Sequence, residues 1–529
     1  MKLLSRSVLL AVVVAMLAAG CSSSDDTDSA DGEAGGTTTT TTTAEEDPVA
    51  FEPHVPTDVA APEAEGNGVN VPQPASPLPD GYVMEEYLVG GTATSFEPVD
   101  TPADGRWVAE PGDEAEYRTR VIVRRPERAE DFSGTVVVEW FNISAIEAAP
   151  DWAYLAEEIS REGHAYVGVS AQAQGVEGGQ TLLDVEVDEG EAAEAGVSTD
   201  QSGLRNVDPA RYGTLRHPGD AYSFDIFSQV GRLVDGDPQA ILGDLEPERV
   251  IAAGESQSGS FLATVINAVH PLAPVFDGFL VHSRPAMGAP LDGDYTTSRE
   301  AVADLESADV PSGAVRIRDD LDVPVMMFAT ETDLTTLRYA TVRQPDTDLI
   351  RTWEVAGTAH ADAHLLRAVV GGPRDPMVGD LLGCGAINTG PQKEVLSAAF
   401  NHLVGWVAGG DPPPAGERIE MTDGDEAIAR DDLGMALGGV RNPLIDVPVF
   451  VPIGDRVTAG ETLSGGDICA LMGSTRVLDA AELAELHGTA DDYVDAFSSS
   501  ADAMVDAGFL LAPDADDLVA EAEENRTRF

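Results

Sequence analysis

Ser256 is the residue whose surroundings point most directly to chemistry. It lies in residues 254–259 (GESQSG), directly after an apolar, strand-like run at 249–253 (RVIAA). A serine on a tight strand-to-helix turn needs small residues two positions before and after it, because larger side chains would collide in the strained backbone. Gly254 and Ser258 meet this need, although Ser258 stands where glycine is usual. The segment therefore predicts a nucleophilic serine at the end of a strand.

A serine hydroxyl is inert at neutral pH unless a base takes its proton, and the base needs a carboxylate to orient it. In proteins with such a serine turn, the acid and then the histidine follow along the chain. His360 follows a strand-like run at 352–355, and Glu331 and Asp333 follow another at 323–328. We predict His360 as the base. Spacing does not decide which carboxylate is its acid. We favour Asp333, which stands where proteins with such a serine turn commonly place the acid, and Glu331 is the alternative.

His364 is the rival base, one helical turn after His360. Two histidines at this spacing could also bind zinc, but such sites carry a glutamate after the first histidine, where this chain has Ala361. We therefore expect no metal and no other cofactor, and we assign His364 to a helix face. The remaining histidines that we expect to be structural are His217, His282 and His402.

The negative oxygen that forms during acyl transfer needs two backbone N–H groups directed at it. We predict one from Gln257, directly after the serine. The other is predicted around Asn142 and Ile143, in the loop that follows residues 135–141 (TVVVEWF). Glu139 is an ionisable residue inside that apolar run, so it needs a partner if it is buried. We expect its role to be structural.

The elements that must position these residues alternate between strand-like and helix-like segments. Strands are predicted at 84–89, 117–123, 135–141, 165–169, 249–253, 276–282, 323–329 and 352–355. Helices are predicted at 151–161, at 217–233 and from residue 480 onward. Strands joined by helical crossovers indicate an α/β fold, a mostly parallel sheet with helices on both faces. An insertion at 172–209 and a C-terminal extension at 422–529 interrupt the pattern.

The N-terminal residues are typical of a lipoprotein signal peptide. Residues 1–20 contain a basic start, an apolar run and small residues before Cys21, the pattern of a cleaved export signal. Cys21 would carry the lipid and begin the mature chain; a plain secretory signal is the alternative. Residues 21–78 are rich in Ser, Thr and Asp, so we expect a disordered tether. The folded domain is expected at 79–529.

The use of cysteine agrees with export. The chain has 3 cysteines, and if Cys21 is lipidated only Cys384 and Cys469 remain. Because exported proteins meet an oxidising environment, we expect these two to form a disulfide. Two separate buried thiols are the alternative.

The charge of the chain excludes some partners. The 529 residues include 93 acidic and 31 basic side chains, a formal net charge of −62 at pH 7. Such a chain repels phosphate backbones and anionic head groups, so we exclude nucleic acid and anionic membrane surfaces as partners. The acidity suits a saline environment, and codon bias of the lineage is the alternative explanation.

The motifs taken together resemble the α/β-hydrolase superfamily, and within it the bacterial group of "alpha/beta hydrolase domain" proteins. The matching segments are 138–142 (VEWFN), 211–213 (RYG), 217–220 (HPGD), 254–259, 331–333 (ETD), 439–443 (GVRNP) and those around Cys384 and Cys469. The likeness covers roughly residue 82 to the C-terminus. It implies a serine-hydrolase triad without a metal, and it leaves the substrate open because this fold hosts many chemistries.

The sequence thus predicts an exported, lipid-anchored serine hydrolase on the extracytoplasmic side, in the first place a carboxylic-ester hydrolase. Ser256 would attack the acyl carbon, His360 would take and return the proton, and the acid would orient His360. The expected partner is a small-molecule ester, with membrane contact through the lipid only. An acyltransferase or amidase with the same residues is one alternative, and a surface binding module without turnover is the other.

Overall fold

A nine-stranded sheet forms the centre of the computed structural model. The structure describes residues 51, 53–63, 73, 76, 78–144, 147–179, 203–293, 313–372, 375–422, 427–454 and 468–529. The predicted signal peptide, Cys21 and most of the predicted insertion lie outside these residues. Within the described ranges, none of the helices combines the length and apolar character that crossing a membrane requires.

The strands of the large sheet follow the order β1-β2-β3-β5-β4-β6-β7-β8-β9. Their bounds are β1 Asp58–Ala60, β2 Tyr82–Asp100, β3 Val108–Pro126, β4 Thr135–Trp140, β5 Ala165–Val169, β6 Arg249–Glu255, β7 Gly278–His282, β8 Val325–Thr330 and β9 Ile350–Val355. The pairs from β1 to β5 are antiparallel, and every pair from β5 to β9 is parallel. The predicted α/β fold with a mostly parallel sheet is confirmed.

Helices cover both faces of the sheet. Their bounds are α1 Pro150–Arg161, α2 Ala173–Glu177, α3 Leu204–Val207, α4 Pro209–Tyr212, α5 Ser223–Gly236, α6 Gln239–Leu242, α7 Gln257–Thr264, α8 Glu331–Thr335, α9 Ala363–Val370, α10 Gln392–Val407, α11 Pro443–Asp446, α12 Ala480–His487, α13 Ala490–Ala507 and α14 Ala512–Asn525. The helix predicted from residue 217 begins only at Ser223, because Gly219 has φ 124° and interrupts the helical backbone.

Both faces of the central strand β4 are covered, which explains why most of its residues are apolar. Successive side chains of a strand point to opposite faces, and here both faces are covered. Val136 and Trp140 contact the core on one side, where Trp140 packs against Phe261 with ring centroids 5.0 Å apart. Val137 contacts the core on the other side, together with α1 and α10. All six residues of β4 are buried.

The predicted tether ends earlier than expected. Residues 58–60 were expected to be disordered, but they form β1 and pair with β2. Phe51 also packs on Phe96, with ring centroids 5.6 Å apart. The composition of residues 21–78 could not reveal this, because β1 is held by backbone hydrogen bonds to a strand edge rather than by a run of apolar side chains.

The C-terminal extension continues the sheet edge at β9. The backbone of Val440 bridges to Glu354 and Ala356 at 2.7 and 3.0 Å. Beyond it, β12 (Phe450–Ile453) pairs with β13 (Ser474–Val477), and β10 (Met421–Thr422) pairs with β11 (Ala427–Ile428). A disulfide joins Cys384 to Cys469, with Cα atoms 5.3 Å apart. The extension therefore lies directly beside the strand that leads to His360.

Candidate active site

Ser256 lies on the turn between β6 and α7 with φ 59° and ψ −119°. A non-glycine residue rarely adopts a positive φ, and doing so costs about 1–3 kcal/mol. The conformation is held by the Ser256 N–H, which donates to the His282 carbonyl at 3.0 Å. A Cβ on Gly254 would lie only 2.9 Å from the Ser258 carbonyl oxygen. The turn thus needs glycine at 254, as the motif indicates.

His360 lies between Ser256 and Asp333. Its Nε2 is 2.8 Å from Ser256 Oγ, and its Nδ1 is 2.7 Å from Asp333 Oδ1. His360 is in the loop between β9 and α9, where its backbone N–H donates to Thr332 Oγ1 at 3.2 Å. With the proton on Nδ1 directed at the carboxylate, Nε2 is left to accept the serine proton. The arrangement can therefore activate the serine hydroxyl.

Asp333 is held from two directions at the start of α8. Its Oδ2 accepts the Thr330 N–H at 2.7 Å, while its own N–H donates to Thr330 Oγ1 at 3.3 Å. This reciprocal pair is a capping box, which fixes the first turn of the helix. The side chain of Asp333 is fully buried. One oxygen thus anchors the residue to the helix, and the other faces His360.

Glu331, the alternative acid, binds other partners. Its Oε1 accepts the Gly357 N–H, and its Oε2 accepts the Gly454 N–H at 3.0 Å and pairs with Arg430 at 2.9 Å. These groups belong to the end of β9 and to the C-terminal extension. The structure brings Asp333 to His360, whereas Glu331 joins the histidine loop to the extension.

The predicted oxyanion donors are not all oriented as expected. Gln257 is the first residue of α7, where backbone N–H groups have no intrahelical acceptor. The expectation for Asn142 is wrong: its N–H donates to the Ala148 carbonyl at 2.9 Å, because the loop folds back on itself. The Ile143 N–H donates to Gln257 Oε1 at 3.3 Å. The second predicted donor, the Ile143 N–H, is therefore already hydrogen-bonded to the Gln257 side chain.

Glu255 is a site residue that the sequence reasoning missed. It is 4% exposed, its Oε1 lies 3.3 Å from His360 Nε2, and its Oε2 accepts from Asn142 Nδ2 at 3.2 Å. Burial raises the pKa of Glu255 to about 7. Burial lowers the pKa of His360, but Glu255 and Asp333 outweigh this and raise it overall. The available signal was a glutamate at the buried end of an apolar strand, directly before the serine.

A second buried group of ionisable residues lies behind the site. Glu139 accepts the N–H groups of Asp151 and Trp152 at 3.0 and 2.9 Å, and the Tyr166 hydroxyl at 2.7 Å. It therefore caps the N-terminus of α1, a structural role of the expected kind. His282 Nδ1 is 2.9 Å from Asp151 Oδ1. Burial raises the pKa of Asp151 and lowers that of His282, which favours the neutral forms.

The rival base and two of the histidines predicted to be structural contact backbone carbonyls. His364 Nε2 is 3.0 Å from the Ala153 carbonyl oxygen, so it joins α9 to α1 rather than facing Ser256. His217 and His402 are 2.8 and 2.7 Å from the carbonyl oxygens of Ala171 and Gly508. Over the part of the chain that the structure describes, no group of three or more His, Cys, Asp or Glu could hold a metal ion.

Comparison with solved structures finds similar chains among esterases. Est22 has a TM-score of 0.28 and 15% identity, covering 55% of this chain and 76% of that chain. A thermostable esterase from Pseudomonas putida has a TM-score of 0.27 and 11% identity, and the match covers 57% of this chain and 81% of that chain. Acetyl xylan esterase 1 from Thermoanaerobacterium has a TM-score of 0.24 and 11% identity, and the match covers 50% of this chain and 81% of that chain. These scores are too low to carry an inference about substrate.

The family comparison covers far more of the chain. No curated protein matches it significantly, but the family model described as "Alpha/beta hydrolase domain" matches residues 55–520. The match spans the large sheet, the serine turn, the histidine loop and most of the C-terminal extension. The chain therefore belongs to the alpha/beta hydrolase domain family.

Proposed function

We propose that the protein is an exported, lipid-anchored serine hydrolase that acts on carboxylic esters. The observation that carries the proposal is the position of His360, 2.8 Å from Ser256 Oγ and 2.7 Å from Asp333 Oδ1. The strained backbone of Ser256 supports it, because strain of this kind is found where a turn must present a nucleophile. Family membership supports hydrolysis.

In the proposed reaction, His360 Nε2 takes the Ser256 proton while Oγ bonds to the acyl carbon. Asp333 keeps Nδ1–H oriented and stabilises the imidazolium. The tetrahedral intermediate then expels the alcohol, which receives the proton from His360 and leaves an acyl-enzyme. A water molecule repeats these steps, releases the carboxylic acid and restores Ser256. The Gln257 N–H donates to the oxyanion, and the Ile143 N–H joins it once it leaves the Gln257 side chain.

A fluorophosphonate probe tests the nucleophile. We expect the wild-type protein to be labelled and Ser256→Ala to remain unlabelled, because the probe reacts only with an activated serine. A panel of p-nitrophenyl esters of increasing acyl length then defines the substrate. The matching anilides test for an amidase, and added alcohol acceptors test for acyl transfer. A correctly folded wild type that is never labelled would leave a binding module as the better account.

Anchoring is tested separately at Cys21. The small residues before this cysteine support lipid attachment. We expect Cys21→Ser to release the protein from the membrane fraction, while Ser22→Ala, the neighbouring control, stays with the membrane. Recovery of the wild type in the soluble fraction would contradict the lipid anchor but leave the proposed catalysis untouched.

A further inference from the structure

Glu255 places a second carboxylate at the nitrogen that must carry the serine proton. Its Oε1 is 3.3 Å from His360 Nε2, the same atom that lies 2.8 Å from Ser256 Oγ. Within the described ranges, its one ion pair is with His360. Its other oxygen accepts from Asn142 Nδ2 at 3.2 Å, and Asn142 also donates to the Glu255 carbonyl at 3.1 Å. The carboxylate is thus fixed in place.

On the basis of the proposed serine mechanism, we propose that Glu255 shares a proton with His360 and thereby sets the pH at which Ser256 becomes nucleophilic. Glu255 is a positioning residue in this role, since it acts through His360. Nothing in the serine-to-histidine-to-aspartate chain requires a second carboxylate at Nε2, so this contact needs its own explanation.

The electrostatic surroundings of Glu255 favour a proton shared with His360. The ionisable groups that face Glu255 are His360, His282, Asp151, Asp333 and Tyr154. Burial lowers the pKa of His282 to about 4, so it is neutral near pH 7 and His360 is the remaining basic group. Burial raises the pKa of Glu255 to about 7, and the pKa of His360 lies above its usual value. Two ionisable groups in direct contact that interact strongly titrate as a pair.

The contact has opposite effects near neutral pH and at higher pH. Near pH 7, ionised Glu255 stabilises protonated His360, which cannot accept the serine proton, so activity there is suppressed. During attack, the proton passes from Ser256 Oγ to His360 Nε2 as the bond from Oγ to the acyl carbon forms. The imidazolium then faces the carboxylates of both Asp333 and Glu255. At high pH, Glu255 therefore stabilises the charged intermediate.

The test is the pH dependence of kcat/KM from about pH 5 to about pH 9, because this quantity reports ionisations of the free enzyme. We expect the wild-type acid limb to be broader than a single ionisation. In Glu255→Gln, which keeps the shape and removes the charge, we expect a single ionisation moved down by about one pH unit or more. Its plateau at high pH should be several-fold lower. Glu157→Gln, an equal charge change at an exposed α1 residue, should follow the wild type.

The outcomes separate this inference from the proposed function. If the wild type is not labelled by the fluorophosphonate, the serine mechanism itself fails. If the wild type is active and the acid limb of Glu255→Gln coincides with that of the wild type, only the role of Glu255 is overturned. The rate of labelling against pH gives the same readout without turnover. Should Glu255→Gln not fold, a wild-type limb that fits one ionisation overturns the inference alone.

Discussion

Asp333 and Glu331 begin the same helix, yet they hold different parts of the molecule. Asp333 faces His360 with one oxygen and caps α8 with the other. Glu331 binds the backbone of Gly357 and Gly454 and pairs with Arg430. One carboxylate therefore orients the histidine ring, and the other holds the loop on which that ring is carried. Removing the two charges should have separable effects.

Asp333→Asn should lower kcat by roughly 10³–10⁴-fold with little change in melting temperature, because the amide cannot stabilise the imidazolium. Glu331→Gln should lower the melting temperature by several degrees and leave kcat/KM within about tenfold, because it loses a buried ion pair but not the contact with His360. Ester hydrolysis and thermal melting of both variants give the comparison. Equal and mild losses of activity in the two would mean that the histidine has another acid.

For single residues, the sequence predicted those that belong to a recognisable local motif. Ser256, His360 and Asp333 follow strands in the expected order, and the structure brings these three side chains together. Glu255 and Gln257 were not predicted as side chains of the site. Their positions depend on the approach of Asn142 and Ile143, more than a hundred residues earlier, and no local spacing encodes that approach.

Among the elements, the loop after β9 is supported in part by the C-terminal extension and by the segment around Asn388. The Ala361 N–H donates to the Leu471 carbonyl at 2.9 Å, directly after His360. The Ala363 N–H donates to the Asn388 carbonyl, and the Asn388 N–H to the Met472 carbonyl, each at 2.9 Å. The disulfide between Cys384 and Cys469 joins the two segments that supply these carbonyls. The disulfide thus holds the backbone around the histidine.

Loss of the disulfide should therefore affect activity as well as stability. It closes a sequence separation of 85 residues, for which chain entropy gives about 4.6 kcal/mol. We expect the Cys384→Ser, Cys469→Ser double variant to melt lower and to lose kcat more than affinity for substrate. The wild type in dithiothreitol should match it, and dithiothreitol should not change the variant further. Unchanged kcat in a variant that melts lower would limit the disulfide to stability.

Strands buried on both faces were predictable, and the partly exposed halves of the two long strands were not. The runs that form β4, β5 and β6 are almost wholly apolar because helices cover them on either side. β2 and β3 extend to 19 residues each, far beyond the predicted runs. Their outer halves lie partly exposed and contain Gly90, Gly91 and several glutamates, so no apolar pattern marks them as strands.

For the whole molecule, the net charge of −62 is the dominant long-range property. Like charges at this density repel one another and oppose the compact state, and salt at 0.1 M largely screens the repulsion between charges more than about 10 Å apart. Many of the acidic side chains of the described C-terminal helices are exposed. Among all the acidic side chains of the protein, the proposed chemistry needs only Asp333 and Glu255. The remaining charge therefore belongs to the interaction of the surface with its solvent.

Stability should consequently rise with salt. We expect the melting temperature at pH 7 to increase by at least about 3 °C from low to molar sodium chloride, the shift that roughly 1 kcal/mol gives in a large domain. Thermal melting at about pH 5 is the control, because protonation of carboxylates reduces the repulsion and should shrink the gain. A melting temperature that is flat or falls with salt at pH 7 would favour codon bias as the origin of the acidity.

The pairing of β1 at the sheet margin decides how mechanical load enters the fold. β1 meets β2 through only three residue pairs, Asp58 with Gly90, Val59 with Val89 and Ala60 with Leu88. Asp58 also lies 3.3 Å from Arg118, and the His54 carbonyl accepts from Arg232 at 2.6 Å. A pull on the N-terminus reaches the packing of Phe51 on Phe96 first and these contacts next, and it then peels β1 from β2. Ser256, Asp333 and His360 follow β6, β8 and β9, which lie five or more positions from β1 in the strand order, so the contacts that are loaded first are not those of the site.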